Sequence, residues 1–388
     1  MQVHKLEDKS QFYVMRNIWE NTLNRSVENS IFLTWEKMAP SVNQLNDESF
    51  LRILYAIDDN LLVGIAPFRK TRKSLGIFHY NVIEPVTNGN TDYTGLIITG
   101  QERECFYQFL AYLFEQKDWD LFQFPNLPQG SQTIELLKSA RQNLPRCRIR
   151  KGVMCPYITI PNTKDKLLDG LGSKFRNELW RRLRKLEREH GKVELKNYRE
   201  FCSLEEAMGI LFRLHQKRWG LKGKAGAFHN RQARDIATET ARLFEEKNWL
   251  RLNFLTVNGK PVAANYDIEY GRRLHGHLCG FDPDYSKYSV GNLLLLKVLE
   301  TCVEKGISEY DFMQGDEYYK SNWTDKRRQN TNVSFVNNKL HSRIISLLLD
   351  ATSIIKFRFK VKSPSNNLTN TIFSFMQKFF QIKSADKT

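Results

Sequence analysis

The chain has 388 residues, of which 41% are hydrophobic and 12% aromatic. That apolar content can bury one large core or two cores of ordinary domain size, and we expect two domains. The formal net charge of +16 indicates an anionic partner. Phosphates of a cofactor, RNA, anionic lipid or an acidic glycan precursor would each satisfy that charge, and charge alone does not choose among them.

The cysteines give no sign of a disulfide framework or a metal site. All six are scattered, without a CxxC pair or a histidine partner at zinc spacing. The N-terminus is polar and lacks an apolar signal core, and no segment approaches the ~18 to 20 uninterrupted apolar residues of a membrane span. We therefore expect a cytoplasmic protein with reduced thiols and no metal.

The first part of the chain predicts helices followed by a β-hairpin, a helix and a strand. Residues 8–25 carry apolar side chains at helical spacing, and residues 31–38 form a second short apolar segment. Residues 50–57 and 61–68 flank the turn sequence Asp58-Asp59-Asn60, which predicts two strands joined tightly. A helix over 102–116 and a strand over 119–124 follow.

A similar succession returns about two hundred residues later. Residues 250–257 and 261–270 flank Asn258-Gly259-Lys260, a strong hairpin signal, and residues 272–281 predict a third strand. A helix over 289–305 and a strand over 307–313 complete it. Segment 51–66 (LRILYAIDDNLLVGIA) also resembles segment 250–264 (LRLNFLTVNGKPVAA). We infer two related α/β units, although hairpins resemble one another generically.

The intervening and terminal segments complete the domain prediction. A basic helix is predicted over 174–190, ended by Gly191, and a helix over 204–219 leads into a glycine-rich basic loop. Residues 344–362 and 372–382 are apolar, lysine-rich and amphipathic in pattern. We predict a first, degenerate unit at 1–150, a second unit at 151–340, and a helical extension at 341–388.

The most informative run is residues 310–323 (YDFMQGDEYYKSNW). It places carboxylates, tyrosines, a lysine and a tryptophan just beyond a short apolar strand, with a glycine at the strand end where the backbone can approach a ligand. The polar part has no periodicity suited to burial. The run therefore indicates a functional site.

A phosphate site is predicted where the strand over 272–281 passes into the helix over 289–305. The amides of Val290, Gly291 and Asn292 would be unpaired at the helix N-terminus and would favour a phosphate. Lys287 could add charge. An ordinary N-cap at Ser289 beside a surface lysine is the alternative.

These segments together resemble the GNAT acetyltransferase superfamily, in particular its two-unit branch found in cellulose and exopolysaccharide gene clusters and related to Fem-type peptidoglycan aminoacyltransferases. The resemblance is carried by residues 280–285 (GFDPDY), 289–291 (SVG) and 311–323 (DFMQGDEYYKSNW), the last being similar to a D-F-x-x-G-D-x-x-Y-K-x-x-W signature. It covers residues 150–340 well and the first 130 loosely. One departure is that the Q/R-x-x-G-x-G/A phosphate loop of smaller GNAT enzymes is reduced to 287–292, with a single glycine.

The resemblance implies an α/β fold of two tandem GNAT-like units, with acetyl-CoA as cosubstrate bound by Lys287 and residues 289–292, whose amides are also the nearest oxyanion donors. Asp316 and Asp311 compete as the catalytic base, although a strand aspartate more commonly bonds a neighbouring backbone. Tyr319 or its neighbour Tyr318 would protonate the departing thiolate, or else pack on the sheet. Lys320 could hold an anionic substrate or simply be exposed.

The strand over 272–281 offers another base. Strand alternation puts His275, His277 and Cys279 on one face, and His277 suits general base work near neutral pH, with a structural histidine as the alternative. No acidic third ligand lies nearby in the strand, so a metal is not predicted. Asp267, on the preceding strand, would line the acceptor pocket.

The arginines of the basic helix have two interpretations. Arg181 and Arg184, with their neighbours, could contact a substrate phosphate, RNA or an anionic membrane surface, or they could form a solvated face paired with glutamates. We favour the substrate phosphate or the membrane surface, with peripheral association at the inner membrane face.

The sequence therefore predicts an acyltransferase that moves an acyl group, expected to be acetyl, from CoA to an amine or hydroxyl of a cell-envelope or exopolysaccharide precursor. The acceptor would be a small molecule or a glycan precursor. The alternatives are a Fem-like aminoacyltransferase, which alone would bring tRNA as a nucleic-acid partner, and a non-catalytic scaffold of polysaccharide assembly.

Overall fold

The structure, a computed structural model, describes residues 1–87, 91–140, 147–221 and 223–360. The strands are β1 (Gln2–Leu6), β2 (Ser49–Asp58), β3 (Leu61–Leu75), β4 (Phe78–Pro85), β5 (Ile97–Ile98), β6 (Leu121–Leu127), β7 (Cys147–Thr159), β8 (Val193–Asn197), β9 (Leu250–Val257), β10 (Lys260–Tyr270), β11 (Arg273–Phe281), β12 (Glu309–Asp311) and β13 (Arg327–Val336). The helices are α1 (Lys9–Val14), α2 (Arg16–Arg25), α3 (Trp35–Asn43), α4 (Glu102–Glu115), α5 (Gln132–Ala140), α6 (Lys164–Asp169), α7 (Ser173–His190), α8 (Leu204–Gly220), α9 (Arg231–Glu246), α10 (Val290–Glu304), α11 (Tyr318–Ser321) and α12 (Leu340–Lys360).

The strands form one mixed sheet whose two halves have similar strand arrangements. The order is β1-β2-β3-β4-β6-β13-β7-β12-β11-β10-β9-β8, with β5 beside β3. In each half an antiparallel run ends in a parallel pair, β4 with β6 and β11 with β12, and α4 and α10 are the last helices before β6 and β12. The predicted α/β class, with two related units and helices flanking a mixed sheet, is confirmed.

Both predicted hairpins are present, and their turns have the backbone that their sequences favour. Asp59 and Asn60 have positive φ between paired Asp58 and Leu61, as do Asn258 and Gly259 between paired Val257 and Lys260. Two consecutive positive-φ residues match the right-handed twist of the flanking strands. The turns therefore fix the register of β2 with β3 and of β9 with β10.

Several predicted elements differ from those observed. The helix predicted over 8–25 is divided between α1 and α2 at Met15, and the strand predicted over 307–313 is only the three residues of β12. The short segment 31–38 begins as a 3-10 turn and continues as α3. Strands β4, β7, β8 and β13 and helix α9 were not predicted. The apolar segment 372–382 lies outside the described residues.

The predicted domain boundaries do not follow the sheet. The boundary at 150 falls inside β7, which pairs with β12 of the second unit and with β13. β13 pairs with β6, so a strand assigned by sequence to the second unit completes the sheet of the first. Helix α12 continues this return, because Ser342 donates to Asp120 of the first unit. The two units are thus joined through their central strands.

Helices cover both faces of the second unit, and they define the surroundings of the site. Leu255 and Ala263 pack with α7 and α10 on one face, and Phe254 and Tyr266 pack with α8 and α9 on the other. The second cluster also contains Phe32 and Tyr93 of the first unit. The α8 face of the second unit is therefore closed by the first unit.

Candidate active site

The cavity that we call the main cavity lies where strands β11 and β12 separate. The two parallel strands pair only from Arg273–Glu309 to His275–Asp311, and beyond that point no further pair is formed between them. A cavity of about 320 Å³ occupies the opening, and its lining includes Arg218 of α8 and Leu295 of α10, which pack on opposite faces of the sheet. The main cavity therefore passes through the sheet.

A β-bulge in β11 changes which face its side chains occupy. Tyr266 pairs with Leu278 but Asp267 pairs with Gly276, so His277 is the extra residue. His277 contacts the Tyr266 ring on the α8 face, and a Cβ on Gly280 would meet the α8 backbone at 2.4 Å. Cys279, between Leu278 and Gly280, projects to the opposite face. The predicted single face for His275, His277 and Cys279 is therefore wrong.

The N-terminus of α10 opens onto the main cavity, as the strand-to-helix pattern predicted. Ser289, Val290, Gly291 and Asn292 all line it. Ser289 is left-handed, with φ of 54°, and no side chain caps the helix. Among the described residues the amides of Val290 and Gly291 have no hydrogen-bond acceptor, whereas the amide of Asn292 donates to the Ser289 carbonyl at 2.8 Å. Two of the three predicted amides are thus free for an anion.

Asn292 and Lys287 have other partners. The side chain of Asn292 accepts a hydrogen bond from the Trp323 indole at 3.3 Å. Lys287 is exposed, pairs with Glu189 at 3.4 Å, and is absent from the cavity wall. Arg182 of α7, rather than Lys287, places a positive charge at this helix end, since it donates to the Ser289 hydroxyl.

Arg218 brings a second positive charge into the main cavity. Its guanidinium lies 2.5 Å from the Cys279 sulfur and 3.3 Å from the Cys279 carbonyl, and over the Phe281 ring at 5.5 Å. Within the described residues, no carboxylate lies at ion-pair distance from Arg218. A partly buried guanidinium without a carboxylate, beside unbonded helix amides, is suited to an anionic ligand.

His277 meets an aspartate from the first unit. The Asp92 Oδ2 lies 3.7 Å from His277 Nδ1, and Asp92 Oδ1 accepts from the Gln314 amide at 3.2 Å. Burial lowers the pKa of His277, and the Asp92 carboxylate partly offsets that change. Burial alone would raise the pKa of Asp92, but His277 and the Gln314 amide lower it below the usual value. At neutral pH the pair is a neutral imidazole beside a carboxylate, as a general base requires.

A second cavity continues from this pair. It has a volume of about 300 Å³, lies on the face of α8 and α9, and includes Lys37 of the first unit in its wall. It shares four lining residues with the main cavity: Asp92, His277, Leu278 and Gln314. The His277–Asp92 pair therefore stands between the two cavities.

Of the two tyrosines predicted as proton donors, Tyr319 faces the main cavity and Tyr318 is 84% exposed. Burial raises the pKa of Tyr319 well above its usual value, and Arg218 acts in the opposite direction. Tyr319 therefore keeps its proton throughout the physiological range. Tyr319 lies in the cavity wall on the α10 face of the sheet, whereas His277 lies on the α8 face.

Lys320 lines the main cavity, but its ammonium is bonded to the protein. It is buried, and its ammonium donates to the carbonyls of Met313, Gln314 and Gly315 at 3.4, 2.9 and 3.3 Å. It also pairs with Glu317 at 2.8 Å. Its ammonium therefore holds the loop over 312–317, and the substrate-binding role of Lys320 stays a prediction.

Neither aspartate predicted as the base faces the main cavity. Asp311 is buried, accepting from the Met313 amide, the Tyr93 hydroxyl and Arg328 at 2.8, 2.8 and 3.2 Å. Asp316 is 69% exposed and lies 3.5 Å from Arg327. Neither residue lines the cavity, so the structure does not bring them to the reacting position that the sequence suggested.

The predicted substrate arginines lie on the outer face of α7. Arg181 is 74% exposed and Arg184 is also exposed, and both are absent from the cavity wall. Asp267, in contrast, is buried in that wall on the α10 face, away from the second cavity. Asp267 therefore lies on the opposite face of the sheet from the second cavity, and its role in an acceptor pocket stays a prediction.

Sequence reasoning missed Asp92 and Arg218. Asp92 lies in a loop of the first unit, far along the chain from its partners, and no local pattern marks it. Arg218 lies in the last turn of α8, in a lysine- and arginine-rich stretch, where one more basic residue carries no signal. Asp92 reaches the site because the first unit closes the α8 face, whereas Arg218 reaches it through the packing of α8 on β11.

A known protein family matches the part of the chain that contains most of the candidate site. Residues 173–321 match the acetyltransferase (GNAT) domain family. This segment contains β11, α10 and the loop that carries Tyr319, so the matched domain includes most of the cavity wall. No curated protein matches the sequence.

Solved structures with the same fold span nearly the whole chain. FemX aligns with a TM-score of 0.60 at 9% identity, covering 89% of this chain and 99% of its own. A protein of unknown function from Bacteroides thetaiotaomicron aligns at 0.55 and 12%, covering 87% and 100%. L-PGS from Bacillus licheniformis aligns at 0.52 and 12%, covering 89% and 97%. At these identities the likeness establishes the fold, and the GNAT-like fold class is confirmed.

Two further observations bear on ligands and location. No cluster of three or more His, Cys, Asp or Glu side chains able to hold a metal ion occurs in the part of the chain described. In the same part of the chain, every helix is too short or too polar to cross a membrane.

Proposed function

We propose that this protein transfers a short acyl group from CoA to an amine or hydroxyl acceptor across the opening between β11 and β12. The observation that carries the proposal is the main cavity itself, which joins the free N-terminal amides of α10 on one face to the His277–Asp92 pair on the other. Donor and acceptor would enter from opposite faces and meet within the sheet.

The donor side offers the features that an acyl-CoA requires. The Val290 and Gly291 amides would bind the pyrophosphate, and Arg218 would add a charge-assisted contact. Gly291 leaves room for close approach, because a Cβ there would lie 3.7 Å from Phe281 and larger side chains would enter the cavity. These residues fit an anionic donor.

The chemistry is a single displacement at the thioester carbonyl. The acceptor nitrogen or oxygen attacks the carbonyl carbon while His277 takes its proton, and Asp92 stabilises the imidazolium that forms. The carbon–sulfur bond then breaks, and Tyr319 gives its phenolic proton to the departing thiolate. Proton exchange with solvent returns both groups to their starting states.

The acceptor would occupy the second cavity. That cavity opens beside α9 and the first unit, and Lys37 lies in its wall. Burial lowers the pKa of Lys37 to about 8, with Asp92 acting in the opposite direction, so its ammonium remains largely charged at neutral pH. A polar acceptor with an anionic group, such as a cell-envelope sugar precursor, would suit this wall.

The test is CoA thiol release from acetyl-CoA over a panel of amino sugars, amino acids and polyols. We expect His277→Ala to lower turnover by about 100-fold or more, the ordinary contribution of a general base. Asp316→Ala is the matched control and should keep full turnover, because Asp316 lies outside the cavity. A normal rate in His277→Ala would contradict the mechanism.

A second candidate, transfer from an aminoacyl-tRNA, is favoured by the outer face of α7. Lys174, Arg181, Arg184, Lys185 and Arg188 are exposed and fall on one side of this 18-residue helix. The helix reaches the mouth of the main cavity through Arg182 and Ser289. A polynucleotide or an anionic membrane would each fit such a surface.

Salt dependence distinguishes a tRNA bound along α7 from acetyl-CoA bound in the main cavity. Binding of a tRNA along this helix should weaken steeply as salt rises, and Arg181→Glu with Arg184→Glu should abolish it. Acetyl-CoA bound inside the cavity should lose little affinity from the same changes. A protein that binds neither donor would act as a scaffold.

A further inference from the structure

The inner end of the main cavity is polar. This end, which we call the apex, lies beside the last paired residues of β11 and β12, His275 and Asp311. Asp267 and the hydroxyl of Tyr310 line it, and Gly276 stands opposite. A Cβ on Gly276 would lie 2.3 Å from the Tyr310 oxygen, so glycine keeps space for that hydroxyl. An apex for a plain aliphatic chain would be lined by apolar side chains instead.

Asp267 has hydrogen-bonding capacity that the protein leaves unused. It is 1% exposed, and its Oδ1 accepts from the Tyr310 hydroxyl at 3.3 Å. Its Oδ2 is buried without a hydrogen-bond partner among the residues described. No lysine or arginine of the described chain lies within ion-pair distance of it. Burial raises the pKa of Asp267 well above its usual value, and both this burial and the absence of a nearby cation in the described chain favour the neutral carboxyl.

The apex is the position that an acyl group would reach. In the proposed function the free amides of α10 would hold the donor, and the strands pair at the other end of the opening, at His275 and Asp311. A thioester lying along the opening would point its acyl substituent at Asp267. A neutral carboxyl both donates and accepts hydrogen bonds, and a hydroxyl is the small group that does the same.

We propose that the acyl group is a short hydroxyacyl group, whose hydroxyl binds the unpartnered oxygen of Asp267 at the apex. This inference rests on the proposed function, since it assumes that the main cavity holds the donor. It departs from the expectation of acetyl, because an acetyl group would leave Asp267 buried and unpaired. Such an orphaned polar group is the usual basis for rejecting an analogue that lacks a hydroxyl.

The test compares two thioesters that differ only by a hydroxyl in place of a methyl, the glycolyl and propionyl thioesters of N-acetylcysteamine. Dissociation constants for the wild-type protein would be measured by ligand-observed NMR. We expect the glycolyl thioester to bind about 10-fold or more tightly than the propionyl thioester, as expected for one satisfied buried hydrogen bond. Equal binding, or a preference for propionyl, would overturn the proposal.

Two variants assign the preference to Asp267. Asp267→Ala should bring the two thioesters to within about 2-fold of each other, whereas Asp267→Asn, which can still donate and accept, should keep the preference. An unchanged preference in a folded Asp267→Ala protein would also overturn the proposal. Both thioesters lack the nucleotide of CoA, so a failure to bind CoA would count against the proposed donor without altering this ratio.

Discussion

At the scale of single residues, the site depends on pairs that join the two units. Asp92 of the first unit lies beside His277 of the second, and the Tyr93 hydroxyl donates to Asp311 at 2.8 Å. The first pair sets the charge state of the base, and the second fixes the end of β12. In the proposed mechanism the first unit would therefore contribute to the chemistry directly, through Asp92.

The Asp92–His277 pair predicts a change in pH dependence. His277 must be neutral to accept a proton, so the rate should fall as pH decreases through its pKa. Asp92 raises that pKa against the lowering effect of burial. Asp92→Asn should therefore move the acidic limb of the kcat profile to lower pH and also reduce kcat, because the imidazolium loses the nearby carboxylate that stabilises it. The measurement is the pH–rate profile of both proteins.

Asp316→Asn is the control for that profile and should leave the limb in place. An acidic limb that moves to higher pH in Asp92→Asn would contradict the assignment of His277 as the base.

The residues that could be predicted are those marked by local pattern. Val290 and Gly291 follow a strand and open a helix, and Tyr319 lies in a polar run without core periodicity. Asp92 and Arg218 reach the site only through tertiary packing. The run that contains Asp311 was predicted, but its burial away from the cavity was not, because sequence does not tell a buried hydrogen-bonded group from a substrate-facing one.

At the scale of elements, the loop between β12 and α11 shapes one wall of the main cavity. Met313 and Gly315 have positive φ, with values of 61° and 115°, and Lys320 binds three consecutive carbonyls of this loop. Together with the hydrogen bonds that the Phe312 and Gly315 amides donate to β7, these bonds compensate an irregular backbone. The loop holds Tyr319 in the wall because Lys320, the next residue, is tied to its start.

Lys320→Met should therefore destabilise the protein and displace Tyr319. Loss of hydrogen bonds from a buried ammonium to three carbonyls should reduce the free energy of unfolding by about 2–3 kcal/mol, measured by denaturant titration. Lys287→Met, at an exposed position, should change it by less than about 0.5 kcal/mol. Equal stabilities for the two variants would show that Lys320 does not hold the loop.

Element predictions succeeded where turn chemistry or helical period was strong. Both hairpins, α7 and α10 lie close to their predicted ranges, because positive-φ turn residues and apolar spacing fix them locally. The bulge at His277 could not be predicted, since it arises from the pairing of β10 with β11. That single extra residue moved Cys279 to the opposite face from His277.

At the scale of the whole molecule, the two units share topology but not the features of a donor site. Gln101 before α4 is left-handed, with φ of 46°, as Ser289 is before α10. The first turn of α4 carries Glu102 and Glu104, whereas that of α10 carries no charge. Two carboxylates at a helix N-terminus would repel a phosphate. This difference supports the interpretation of the first unit as a degenerate copy.

The shared sheet predicts that both units unfold together. β13 lies between β6 and β7, so neither half keeps its central pairing without the other. Denaturant unfolding followed by circular dichroism and by tryptophan fluorescence should give coincident single transitions. Two resolved transitions would show that the units are independent, as the sequence-based boundaries at 150 and 340 implied.

The central claim is that the main cavity binds an acyl-CoA at the N-terminus of α10, and calorimetric titration with acetyl-CoA tests it most directly. We predict micromolar binding to the wild-type protein and binding at least about 10-fold weaker to Gly291→Leu, whose side chain would enter the cavity mouth, with dephospho-CoA reporting the role of the terminal phosphate. Absence of binding to the wild-type protein, or equal binding to Gly291→Leu, would contradict the account.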